Sequence, residues 1–310
     1  MVKAAVRLRV ILVCSAYCLA YGSGICSAAD IPHFSEELRK ALDPAEPPFA
    51  AIYRSGHKVL GFVAADHVVT PENDTIATVR RAYTDIHPSL VIVEGFPTTF
   101  GPNPTFIVAE LRRRAEPGAT TYSQSEGGFT ALLALEHMVP FLGGEPTPAE
   151  ELGGLETKGY RRSDVLTAFL LRSLGQERRA GKMTPGDPAA FSSAYAQIAR
   201  SVSAMTKTGL VPQEQFTANY RRLVGIDPVS DSELATRYDP GTETRLHQMG
   251  ADNMRVRDEH LLNTILDQSA AYDRVLVVYG SGHWTTLSAA LKERFGKPVV
   301  LTPKMKARLQ

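Results

Sequence analysis

Cysteine is nearly absent from this chain of 310 residues: Cys14, Cys18 and Cys26 are the only three, and none follows residue 26. Chemistry that needs a thiol is thereby excluded from everything downstream: no disulfide framework, no thiolate metal ligand and no cysteine nucleophile. Charge of one sign is lacking too. The 34 Lys and Arg residues balance 33 Asp and Glu to a formal net charge of +1, so no basic field points to nucleic acid as a partner. After the first thirty residues no apolar run approaches the ~18 residues of a membrane-spanning helix, and no span is expected there. Several motifs are missing as well. There is no His-Glu-x-x-His, no P-loop and no EF-hand loop. Tyr279-Gly280-Ser281-Gly282 is not a Gly-x-Ser-x-Gly elbow, which makes Ser281 a poor nucleophile. Gly280 and Gly282 lack a third glycine, since Thr285 stands in its place, and only one strand follows them. A dinucleotide site is therefore not expected.

What is there starts with a basic and apolar leader. Lys3, Arg7 and Arg9 precede a short apolar run at 10–21, and Cys26-Ser27-Ala28-Ala29-Asp30 offers small residues for cleavage after Ala28 or Ala29. The expectation is an exported protein, periplasmic or secreted, with residues 1–28 as signal peptide and 29–310 as an α/β domain. Loss of the leader would remove all three cysteines and three basic residues, leaving 31 basic against 33 acidic side chains and a net charge of −2.

The rest reads as alternating strands and helices. Apolar runs at 49–54 and 58–63 flank Ser55-Gly56-His57, a hairpin pattern. Residues 89–94 (Ser-Leu-Val-Ile-Val-Glu) are apolar on both faces, as in a buried parallel strand, and helical spacing at 75–86 between them completes a βαβ unit. Helices are expected at 104–114 and 128–138, then a short strand at 139–142 running into Gly143-Gly144-Glu145-Pro146. Residues 160–272 read as a mainly helical insertion or cap, with helices at 163–178, 188–207, 213–223 and 258–272 between proline and glycine clusters. A second fully apolar strand at 274–279, a turn at Gly280-Ser281-Gly282, a helix at 284–295 and a strand at 298–301 close the chain. The expected fold class is α/β, a largely parallel central sheet flanked by helices.

In open α/β sheets ligands bind outside the carboxyl ends of the strands, so polar residues just past strand ends are the candidates. These are His67, Glu94, Glu145 and His283. His283 has the strongest context, because glycines permit close approach and a helix starts beside it with free N–H groups. Glu94 closes an apolar strand, and Asp66 stands beside His67. Glu126 precedes an Ala/Leu-rich helix.

Two short motifs and a strand-end carboxylate make the chain resemble the TraB/GumN/Tiki group, in a superfamily with erythromycin esterases and a haem-binding lipoprotein. Gly280-Ser281-Gly282-His283 matches the second Gly-x-x-His motif of that group. Ala64-Ala65-Asp66-His67 occupies the first with alanine in place of glycine, and Leu90-Val91-Ile92-Val93-Glu94 matches the strand-end glutamate. Arg257-Asp258 looks like the family's Arg-[Asn/Asp] pair. The resemblance implies a metal-dependent hydrolase acting on peptide or small-molecule ester or amide substrates. His67, Glu94 and His283 would hold a divalent ion (Mn, Co or Zn), and Arg257, Glu126 and Glu145 would assist. It equally admits a metal-free esterase with a histidine base, or a protein that binds haem or metal ions without catalysis.

Overall fold

The hairpin signal closes as the turn chemistry requires: β1, Phe49–Ser55, runs antiparallel to β2, Lys58–Ala65, with Ser55 opposite Lys58. Gly56 sits between them at φ 61°, the left-handed backbone that two-residue hairpin turns demand. The protein is seen as a computed structural model that describes residues 31–42, 46–67, 73–115 and 125–303. The expected signal peptide, 1–28, lies outside the described residues.

A short helix α1, Glu36–Lys40, precedes the hairpin. From β2 the chain passes through α2, Asp74–Ile86, capped by the Asn73 side chain, to β3, Leu90–Pro97. It continues through α3, Thr105–Ala115, and α4, Glu126–Glu136, to β4, Phe141–Glu145. Five helices follow: α5 (Pro148–Thr157), α6 (Arg162–Arg179), α7 (Pro188–Thr206), α8 (Gln213–Val224) and α9 (Arg245–Ala271). Then β5, Arg274–Gly280, leads into α10, Ser281–Phe295, and β6, Val299–Leu301.

The strands make one sheet in the order β4-β3-β5-β2-β1-β6, in which β4, β3, β5 and β2 are mutually parallel and β1 is antiparallel to both its neighbours. The fold is α/β, as the apolar runs predicted. Helices α2, α3 and α4 share one core with a single face of the sheet, through Val79, Ala131, Val91 and Val278 among others. On the opposite face Trp284 of α10 packs edge-on against Phe49, with ring centroids 4.8 Å apart. The chain moves outward from β2 to β4 over the first face, then returns to β5 in the middle. Right-handed crossovers require the covering face to change when the direction reverses.

Three departures from the predicted bounds bear on the site. The fourth strand runs through Gly143, Gly144 and Glu145 instead of stopping at 142. Glycine is tolerated there because the partners come so close: a Cβ on Gly143 would lie 2.0 Å from the Phe96 carbonyl oxygen. The helix expected to begin at 258 begins at Arg245, so Arg257 and Asp258 sit in its middle. Gly250, which argues against a helix, makes room there for the Tyr238 carbonyl. Helical structure after β4 also begins earlier than 160, at Pro148, where Thr147 and Glu150 form a capping box.

Helices α5 to α8 and the first part of α9 surround a second core that includes Leu155, Leu170, Phe216 and Met249. The C-terminal half of α9 carries Leu261 and Ile265, both fully buried, and the helix touches β4, β5 and α10. One long helix thus joins the helical layer to the sheet. Among the described residues no helix is long and apolar enough to cross a membrane.

The second core sets a testable contrast. Leu170→Ala, at a fully buried position, is expected to lower unfolding free energy by about 2–5 kcal/mol in denaturant titration. Val299→Ala, on the exposed edge strand, is expected to stay within about 0.5 kcal/mol.

Candidate functional site

Parallel strands deliver their carboxyl ends to one edge, and the order β4-β3-β5-β2 sets four predicted positions in a row along it. Glu145 ends β4, Glu94 lies where β3 loses register with β4, His283 is in the first turn of α10 after β5, and His67 follows β2 by two residues. On both sides of β5 the outgoing helices depart to opposite faces. That divergence opens the crevice in which such sheets bind ligands.

Glu94 is the centre of the row. Its Oε2 accepts a hydrogen bond from the Gly280 N–H at 2.8 Å, and its Oε1 accepts one from Arg257 Nη2 at 2.8 Å. The His283 Nε2 lies 3.8 Å from the same Oε1. Burial is the largest single influence on this carboxyl and pushes its pKa up. The charges of Arg257, His283 and His67 and the Gly280 N–H together outweigh it and hold the pKa down at about 2.

Arg257 and Asp258 point into two different parts of this network, because successive residues on α9 diverge by about 100°. Arg257 grips Glu145 with two bonds, Nε to Oε2 at 2.8 Å and Nη2 to Oε1 at 2.6 Å. Burial raises the Glu145 pKa, but the adjacent guanidinium outweighs it, so the group stays ionised below the ordinary carboxylate range. No described residue accepts from Arg257 Nη1. Asp258 is fully buried, takes the His283 Nδ1–H at 2.5 Å and accepts from Thr286 Oγ1 at 2.7 Å. Burial favours neutral His283, yet Asp258 outweighs it and the imidazole pKa is raised. With Nδ1 held by a carboxylate, His283 presents Nε2 toward Glu94.

His67 approaches from the other side. Its ring is 72% exposed, but its Nδ1–H donates at 2.8 Å to Oε1 of Glu126, which is 3% exposed. That bond is the main reason the His67 pKa rises to about 9, with burial opposing it and the Glu94 charge assisting. The raised pKa means that the pair stabilises the fold fully below the unfolded value of 6.5. This contribution is lost as pH climbs through about 9.

Two glycines make the assembly possible. A Cβ on Gly127 would sit 2.8 Å from the Glu94 carbonyl oxygen, so only glycine lets the start of α4 lie against the end of β3 and bring Glu126 in. A Cβ on Gly280 would meet His67 Nε2 at 3.2 Å and Glu94 Oε2 at 3.4 Å. Ala64, where the family pattern has glycine, is an ordinary strand residue paired with Tyr279 and has no positive φ. The expected turn at 280–282 does not exist as a separate element, since α10 begins at Ser281 directly after β5.

His67, Glu94 and Glu126 each place one ligand atom within 4.8 Å of the others, a group that could hold a metal ion. An imidazole nitrogen and two carboxylate oxygens suit a divalent ion of borderline or hard character. Glu94 and Glu145 share the one guanidinium of Arg257, so added positive charge beside Glu94 is compatible. Glu126 Oε1 and His67 Nδ1 are the atoms that face each other, and an ion held between them would take the place of the shared hydrogen. This group has Glu126 where the expected set of His67, Glu94 and His283 has His283. His283 shares the Glu94 oxygen that Arg257 already holds, and a second cation on that side would meet the guanidinium.

Compared with protein-family models, curated proteins and solved structures, the chain matches none.

The six predicted side chains, His67, Glu94, Glu126, Glu145, Arg257 and His283, thus lie in one network. Sequence reasoning missed the grip of Asp258 on His283 and the support from Thr286. The His283-x-x-Thr286 spacing, one turn apart on a helix, was the available signal. His260, which sequence reasoning did not single out, braces the region. Its Nε2 meets Thr98 Oγ1 at 2.9 Å, and that hydroxyl donates to the Gly143 carbonyl.

The His67 titration tests this geometry. In metal-free protein its imidazole resonances are expected to titrate near pH 9 by NMR. Glu126→Gln should move the midpoint down toward 6.5, and an unchanged midpoint would remove Glu126 as the cause.

Proposed function

We propose that this chain is an exported hydrolase of the TraB/GumN/Tiki type that activates water at a divalent metal centre formed by His67, Glu94 and Glu126. The observation that carries the reading is the His67–Glu126 bond beside Glu94, at the carboxyl ends of parallel strands. There an imidazole and a buried carboxylate already face each other next to a second carboxylate. The resemblance in the two histidine motifs and the strand-end glutamate supports it, and the basic and apolar leader supports export. A divalent ion (Mn, Co or Zn) held there supplies Lewis acidity and a water acidic enough to ionise near neutral pH.

The chain's own residues then divide the work. His283, oriented by Asp258, holds a proton at Nε2 next to the reaction centre and can pass it to a leaving amine or alkoxide. Arg257 fixes Glu94 and Glu145 in place and keeps Nη1 for the oxygen of a scissile carbonyl or a substrate carboxylate. The substrate class that fits is a peptide or a small ester or amide.

One observation favours a second reading. The Asp258–His283 pair is the orienting carboxylate and imidazole that a metal-free esterase would use as general base on water.

Metal analysis with activity separates the two. Purified protein is expected to hold a stoichiometric divalent ion that is lost in His67→Ala and in Glu126→Gln. His283→Ala should retain the ion but lower cleavage of a chromogenic ester or peptide by about 10²-fold or more. Chelator-insensitive turnover that vanishes in His283→Ala selects the metal-free mechanism. Turnover that survives both His67→Ala and His283→Ala refutes both.

A further inference from the structure

Away from this site, α10 turns a second stripe of side chains toward a cavity of about 420 Å³. Trp284 and Lys292 are eight residues apart on the helix and therefore share a face. They line the cavity with Leu42 from beyond α1, Tyr53 of β1, Val300 of β6 and Lys297 just before it. None of the residues of the candidate hydrolytic site takes part.

The lining has an apolar body, a positive mouth and a buried polar donor. Among the described residues no acidic side chain lines the cavity. Lys292 and Lys297 are both exposed, and neither has an ion-pair partner among the described residues. Tyr53 is 1% exposed, and its hydroxyl oxygen accepts from Trp284 Nε1–H at 3.2 Å. The hydrogen of that hydroxyl has no acceptor among the described residues. Burial pushes the Tyr53 pKa up to about 12, so the group remains a donor at physiological pH. A buried donor without an acceptor is costly unless something else satisfies it.

We propose that this cavity binds a small amphipathic carboxylate, with its apolar body against Trp284, Leu42 and Val300 and its anionic head at Lys292 and Lys297. The volume lies within the range of small-molecule pockets, and apolar walls with few polar groups are the usual lining of such sites. An alkylammonium ion would meet two like charges at the mouth, and a sugar or a polyanion would leave the apolar wall unused. The reading is independent of the proposed hydrolysis.

Trp284 is the sole tryptophan, so it reports on the cavity directly. Decanoate titrated into the full chain is expected to shift its fluorescence saturably, while decanol and decylammonium bind more weakly. The double charge reversal Lys292→Glu and Lys297→Glu, at exposed positions that leave the core intact, should weaken decanoate binding about tenfold or more. Equilibrium dialysis with labelled decanoate covers the case of a silent fluorophore. Stoichiometric uptake that falls in the charge-reversed protein supports the proposal. Absence of saturable binding by both methods, equal affinity for decylammonium, or unchanged affinity after charge reversal overturns it.

Discussion

The half-buried guanidinium of Arg257 is the contact on which the rest of the site depends. It joins α9 to two neighbouring strands by bonding Glu94 and Glu145 at once, so the helical layer and the sheet are locked together where ligands would bind. Two carboxylates buried side by side would repel each other and take up protons, and the cation between them keeps both ionised. The arrangement holds only while all three members are present, because removing one leaves an uncompensated buried charge. Its net worth to folding is small compared with that penalty, which makes it a device for specifying geometry more than for adding stability.

From this contact the site divides into two halves around Glu94. On one side Asp258 and His283 are buried and bonded to each other, and half-buried Arg257 is paired with Glu94 and Glu145. On the other, His67 stands exposed on the buried Glu126, with glycines at 127 and 280 clearing the space around it. In the first half Asp258 and His283 are buried and bonded, which suits holding a proton in place. The second is open to solvent and rich in oxygen and nitrogen donors. This division underlies the assignment of proton handling to His283 and of metal ligation to His67.

Much of the fold was legible in local patterns. The runs at 89–94 and 274–279 are apolar on both faces, and a strand buried on both faces has almost nowhere to go except the middle of a parallel sheet. The hairpin turn at Ser55-Gly56-His57 is equally local. The misread segments share a cause: glycines at 143, 144 and 250 look like breaks in a strand or helix. Their real role is to admit Phe96, Tyr279 and the Tyr238 carbonyl, contacts made by residues distant in the chain. A side chain's absence carries the same letter whether it serves a turn or a close approach.

Local sequence was enough for the fold class, for the strands that end in His67, Glu94, Glu145 and His283, and for the absence of cysteine after residue 26. These follow from side-chain type and short-range periodicity. Only the tertiary structure decided which of those groups meet. It paired His67 with Glu126 instead of His283, placed Asp258 on His283, and put Arg257 between two carboxylates 51 residues apart in the chain. The physical reason is that ionisable side chains take their roles from their neighbours' charge and burial, and strand order in a sheet is settled by packing that no local stretch of sequence encodes.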